Sequence, residues 1–109
     1  MEDLTKKRCI PCEGGMPSLN TEDIEALLKK VPHWSLKDGK ISRTYKFKNY
    51  YENMAFINAG AWIAHRENHH PDIVFGYNKC EVNYSTHAAK GLTENDFICA
   101  AKFDALFDL

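Results

Sequence analysis

Tyr50-Tyr51-Glu52-Asn53-Met54-Ala55-Phe56-Ile57-Asn58-Ala59-Gly60-Ala61-Trp62-Ile63-Ala64-His65-Arg66-Glu67-Asn68-His69-His70-Pro71 is the stretch that decides the fold. Between Met54 and Ala64 its only polar residue is Asn58. The segment reads as the longest helix of the chain, from about Tyr50 to Asn68. A helix lying on a sheet needs one apolar stripe, so near-uniform apolarity predicts burial on more than one side. In a chain of 109 residues a partner subunit is a natural second cover. Gly60, among Ala59, Ala61 and Ala64, permits close packing. Pro71 ends the helix, because the residue before a proline disfavours the α region.

The flanking segments mirror each other around this helix. Downstream, Ile73–Tyr77 and Cys80–Thr86 read as two strands joined by a turn near Asn78-Lys79. In the second strand Cys80, Val82, Tyr84 and Thr86 share one face, and Glu81, Asn83, Ser85 and His87 the other. A loop through Lys90-Gly91 leads to a last helix. Thr93 is its N-cap, Asp96 at N3 completes a capping box, and Phe97, Ile98, Ala101, Ala105 and Leu106 form its apolar side. Upstream, Trp34 and Leu36 alternate, Asp38-Gly39 signals a turn, and Ile41, Tyr45 and Phe47 alternate on the return, with Arg43 intruding on that face. A first helix spans about Thr21 to Lys30, capped by Asn20, carrying Ile24, Leu27, Leu28 and Val31, and stopped by Pro32. Residues 1–18 read as an irregular arm punctuated by Pro11, Gly14, Gly15 and Pro17, and residues 19–109 as the single domain. The order α-β-β-α-β-β-α predicts an α+β fold: a four-stranded antiparallel sheet with three helices packed on one face.

Composition limits the functions available. Fourteen basic and 15 acidic residues leave a net charge of -1, which disfavours a nucleic-acid partner. No apolar run approaches the ~20 residues of a membrane span. The N-terminal residues carry no apolar signal core, so the expected location is cytoplasmic. Of the cysteines at 9, 12, 80 and 99, the first two form a C-x-x-C without a second such pair, so zinc is disfavoured and free thiols are expected.

Five histidines remain, at 33, 65, 69, 70 and 87. His65 and His69 share a helical face, and His70 falls where the helix breaks. Such a cluster can be a functional site, surface decoration or core. His87 follows Ser85 and Thr86 at a strand end, a usual place for site residues. Two chemistries compete. His65-x-x-x-His69 with His87 has metal-ligand spacing, but Arg66 stands where the zinc-protease helix carries glutamate. Metal-free acid–base catalysis fits better, because imidazole titrates near neutrality and can both donate and accept a proton.

Together His69-His70-Pro71-Asp72, Tyr77-Asn78-Lys79, Ser85-Thr86-His87 and Gly91-Leu92-Thr93-Glu94-Asn95-Asp96 resemble the pterin-4a-carbinolamine dehydratase family. The likeness covers roughly residues 18–108, and Cys9-x-x-Cys12-Glu13-Gly14-Gly15 is similar to bacterial-type members. It implies a cytoplasmic enzyme that dehydrates 4a-hydroxytetrahydrobiopterin to quinonoid dihydropterin, recycling the pterin of aromatic amino-acid hydroxylases. No metal or organic cofactor is implied, the pterin being the substrate. His69, His70 and His87 match the family's catalytic histidines. His70, Ser85, Thr86, His65 and Asp96 are the implied substrate-binding residues. A homodimer or homotetramer is implied too. Animal relatives also serve as dimerisation cofactors for a homeodomain transcription factor, which makes a protein-binding module the alternative function. The chain departs from common family residues at His65 (often glutamate), Asn68 (often aspartate) and Ile73 (tryptophan in some members).

Overall fold

The structure, a computed structural model, describes residues 3–11 and 17–109. Its regular elements are α1 (Thr21–Leu28), β1 (Ser35–Lys37), β2 (Lys40–Lys46), α2 (Tyr50–Glu67), β3 (Asp72–Phe75), β4 (Lys79–Tyr84) and α3 (Glu94–Phe107), with single 3-10 turns at Leu4–Lys6 and His87–Ala89. The strands form one antiparallel sheet in the order β1-β2-β4-β3. This is the α+β arrangement and element order expected from the sequence. No helix among the described residues is long and apolar enough to cross a membrane.

Strand alternation sorts the sheet into two faces. Ile41 and Tyr45 of β2 and Cys80, Val82 and Tyr84 of β4 are buried against the helices, whereas Thr44, Lys46 and Val74 are exposed on the other side. Asp38 and Gly39 both take positive φ, 51° and 77°, as the tight turn of a two-residue hairpin requires. The intruding Arg43 also finds a place on the buried face. Its Nη1 lies 2.6 Å from Asp104 Oδ1 of α3, and its guanidinium sits 4.3 Å from the Tyr45 ring centre. The indole N–H of Trp34 (2.9 Å) and the hydroxyl of Tyr45 (2.5 Å) donate to that same oxygen. One carboxylate thereby ties β2 and the residue that leads into β1 to the last helix.

The central helix is covered less completely than its composition suggested. Its inner face packs on α3, and Gly60 lies against Phe103 so closely that a methyl group there would run into the ring. The close approach permitted by Gly60 is therefore made within the chain. On the outer face Tyr51 is 85% and Trp62 62% exposed. In α3 the buried set is Phe97, Ile98, Cys99, Ala100, Ala101 and Phe103, while Ala105 of the expected apolar side is exposed. Covered by α2, α1 and the N-terminal turn, this helix buries most of its circumference, so a one-stripe reading of its sequence fails.

Element ends shift by a residue or two. The first helix stops at Leu28, not Lys30, because its last turn tightens: Lys30 and Val31 donate to the carbonyls of Leu27 and Leu28, three residues back. The last strand ends at Tyr84, and Thr86 makes an isolated bridge to Gly91. His87 therefore sits on a 3-10 turn just beyond the strand, not at its tip.

Candidate active site

The site begins where α2 ends. Asn68 adopts the left-handed conformation (φ 51°, ψ 44°), its N–H reaches back to Ala64 and His65, and the His69 N–H donates to the Ala64 carbonyl at 3.0 Å. This is the left-handed helix stop that asparagine tolerates better than most residues. The helix thus ends at Asn68, and Pro71 only follows the stop already made. The turn swings His69 inward and leaves His70 exposed.

His69 is held on three sides. Its Nε2 lies 2.6 Å from Asp96 Oδ1, and its side chain is only 11% exposed. The Tyr84 ring stacks on the imidazole, with centres 5.2 Å apart and planes 19° from parallel. The Tyr84 hydroxyl donates to the His69 carbonyl at 3.2 Å. Asp96 is fully buried and is fixed in turn: its Oδ2 accepts from the Thr86 hydroxyl (2.8 Å) and the Thr93 N–H (3.0 Å). One carboxylate oxygen of Asp96 thus serves the helix cap and the other meets His69.

This arrangement sets the chemistry of the ring. Burial disfavours the charged imidazole, but the hydrogen bond and negative charge of Asp96, helped by Cys99, outweigh it and hold His69 above its ordinary pKa. With Nε2 committed to the carboxylate, Nδ1 is the nitrogen left to exchange a proton with a ligand. A carboxylate behind a histidine fixes both its orientation and its tautomer.

A cleft of about 380 Å³ opens above this pair, lined by Asn68, His69, His70, Asp72 and Ser85–Ala88. The three expected catalytic histidines, His69, His70 and His87, thus come together, with Ser85 and Thr86 between them. His65 does not join them; it is exposed on α2 and packs on Trp62, ring centres 5.5 Å apart. Thr86 lines the cleft, yet its N–H and carbonyl are both used by Gly91 and its hydroxyl by Asp96. Its place is to hold Asp96, a role the sequence did not suggest. The sequence places Tyr84 only on a strand face shared with Cys80, Val82 and Thr86. Its position two residues before Thr86 on the buried face was the available signal. Among the described residues no three His, Cys, Asp or Glu side chains group as a metal site would require.

Residues 17–106 match the family described as Pterin 4 alpha carbinolamine dehydratase. The chain belongs to that family. Pterin 4 alpha carbinolamine dehydratase relatives cover nearly its whole length. A protein of Nitrosomonas europaea named "Putative pterin-4-alpha-carbinolamine dehydratase" is 61% identical over 106 residues, 96% of this chain and 94% of that one. One of the same name from Nitrosospira multiformis is 56% identical over 109 residues, 100% of this chain and 96% of its own. A crystal structure from Brucella melitensis, described as a transcriptional coactivator/pterin dehydratase, superposes with a TM-score of 0.79 at 30% identity, covering 82% of this chain and 97% of that one. Three of the four motifs that carried the resemblance, His69-His70-Pro71-Asp72, Ser85-Thr86-His87 and the Gly91–Asp96 segment, converge on the cleft and the carboxylate behind it, whereas Tyr77-Asn78-Lys79 lies at the turn between β3 and β4.

Proposed function

We propose that this chain removes water from pterin-4a-carbinolamine by histidine acid–base catalysis, regenerating quinonoid dihydropterin for aromatic amino-acid hydroxylases. The observation that carries this reading is the His69–Asp96 pair beneath a cleft that His70 and His87 also line. Dehydration breaks the C4a–O bond, and the hydroxyl leaves as water only if it gains a proton. Protonated His69 supplies it through Nδ1 for one stereoisomer of the carbinolamine, and His87 supplies it for the other. The resulting cationic pterin loses a proton from nitrogen to a neutral imidazole, so donor and acceptor end in balance. His70 orients the ring, and Ser85 meets the polar edge of the flat substrate. Proton transfers suffice for this reaction, so no metal or organic cofactor is required.

The exposed Tyr51 and Trp62 on α2 support a second part of the proposal, that copies of the chain associate as a homodimer or homotetramer. A protein-binding role in place of catalysis would use the same surface but would have no use for a carboxylate-backed histidine.

The test is to mix purified protein with freshly generated 4a-hydroxytetrahydropterin, with EDTA present. Wild type should dehydrate it faster than the spontaneous rate, and a His69→Ala, His87→Ala double variant should not. No acceleration by wild type would overturn the dehydratase reading and favour the protein-binding one.

A further inference from the structure

Two sulfurs far apart in sequence meet behind the site. Cys9 Sγ lies 3.7 Å from Cys99 Sγ, and both are free thiols. Cys99 is fully buried on α3, one turn after Asp96, whereas Cys9 is half-buried in the N-terminal segment. The contact is not a chance brush of a loose end. The Cys9 N–H donates to Glu67 Oε1 at 2.8 Å, the Ile10 N–H to Asn95 Oδ1 at 3.0 Å, and Asn95 Nδ2 returns a bond to the Ile10 carbonyl at 2.7 Å. Glu67 is itself braced by Lys102 (2.8 Å) and Arg8 (3.0 Å). The backbone on both sides of one thiol is therefore clamped to α2 and α3 so that its sulfur faces the other.

We propose that Cys9 and Cys99 form an oxidant-sensitive thiol pair, whose disulfide fastens the N-terminal segment to the helix that carries Asp96. A disulfide needs the sulfurs ~2.05 Å apart, so the pair has to close in from its 3.7 Å contact. The oxidant is a peroxide. Its O–O bond breaks as one sulfur of the pair takes one oxygen, giving a sulfenic acid and one water. The other sulfur then displaces that hydroxyl: the S–S bond forms, the S–O bond breaks, and a second water leaves. In all, two thiols lose two electrons and two protons, and the peroxide gains them. Closing a loop of this length restricts the unfolded chain, so the oxidised protein is the more stable one.

The experiment is peptide mapping by mass spectrometry after hydrogen peroxide treatment and alkylation of the remaining thiols, beside thermal unfolding of reduced and oxidised protein. The expected result is a Cys9–Cys99 linked peptide, two hydrogens lighter than its parts, and a Tm several degrees higher after oxidation. Cys9→Ser should lose both. Cys9→Ser is nearly isosteric, and the circular dichroism spectrum of the variant reports whether it folds. A bridge joining Cys9 to Cys12 instead, or both thiols still alkylated after oxidation of the folded wild type, would overturn the proposal. None of these readouts depends on dehydratase activity.

Discussion

His69 Nε2 and Asp96 Oδ1 are 2.6 Å apart, although 27 residues separate them in sequence. One residue follows the stop of α2 and the other lies in the first turn of α3, so the pair exists only when both helices are docked. Asp96→Asn should remove the charge while keeping the shape. Because the carboxylate holds the histidine above its ordinary pKa, the variant's His69 should titrate lower, as read from its ring proton resonances by NMR. An unchanged titration would mean the carboxylate does not govern the ring.

The same pair makes stability depend on pH. The folded-state pKa of His69 is raised, so its contribution is fully present below the unfolded value near 6.5 and is lost as pH rises through the folded one. Denaturant midpoints of wild type should therefore fall, relative to those of Asp96→Asn, as pH climbs through that window. A constant difference between the two proteins across the window would contradict this.

Tyr84 offers a way to separate ring packing from hydrogen bonding. Tyr84→Phe keeps the stack on His69 and removes the hydroxyl that donates to its carbonyl and meets the Cys99 thiol, a loss of about 1 kcal/mol of stability. Tyr84→Leu also removes the stack, and the dehydration rate should fall further than in the phenylalanine variant. Equal rates for the two would mean that the stack does not position the ring.

Asp104 anchors Trp34, Arg43 and Tyr45 far from the cleft. Asp104→Ala strands an arginine that is only 14% exposed, and should cost roughly 3 kcal/mol in urea unfolding. Any folded fraction should retain its dehydration rate, because none of these residues lines the cleft.

Light scattering on the eluted peak should report an assembly larger than one chain. Trp62→Glu, in the middle of the exposed face of α2, should shift it toward the monomer. A monomeric wild type at micromolar concentration would contradict self-association.

Much of this was legible in the residues. Period-two and helical patterns gave every strand and helix, since burial on one face leaves a periodic trace. Arg43 broke its strand pattern because its partner, Asp104, lies at the far end of the chain, where local periodicity carries no information. The three histidines were visible as a cluster with a strand end. The supports behind them were not: Asp96 reads equally well as a helix cap, Tyr84 as one member of a strand face and Thr86 as a ligand contact. Each of those roles is set by a tertiary contact with no sequence period. Asn68 was the exception in reverse, a left-handed helix stop whose chemistry was readable but was credited to Pro71. Cys12 and the glycines at 14 and 15 lie outside the described residues, so the C-x-x-C reading has only its first half in view.

The most direct measurement is the pH–rate profile of carbinolamine dehydration for wild type and Asp96→Asn, set beside the NMR titration of His69 in each. If protonated His69 delivers the proton, the wild-type rate should fall on the alkaline side with the pKa of His69. In the variant, limb and titration should move down together, with a loss of roughly 10²-fold or more near neutral pH. A limb that stays in place while the titration moves would contradict His69 as the proton donor.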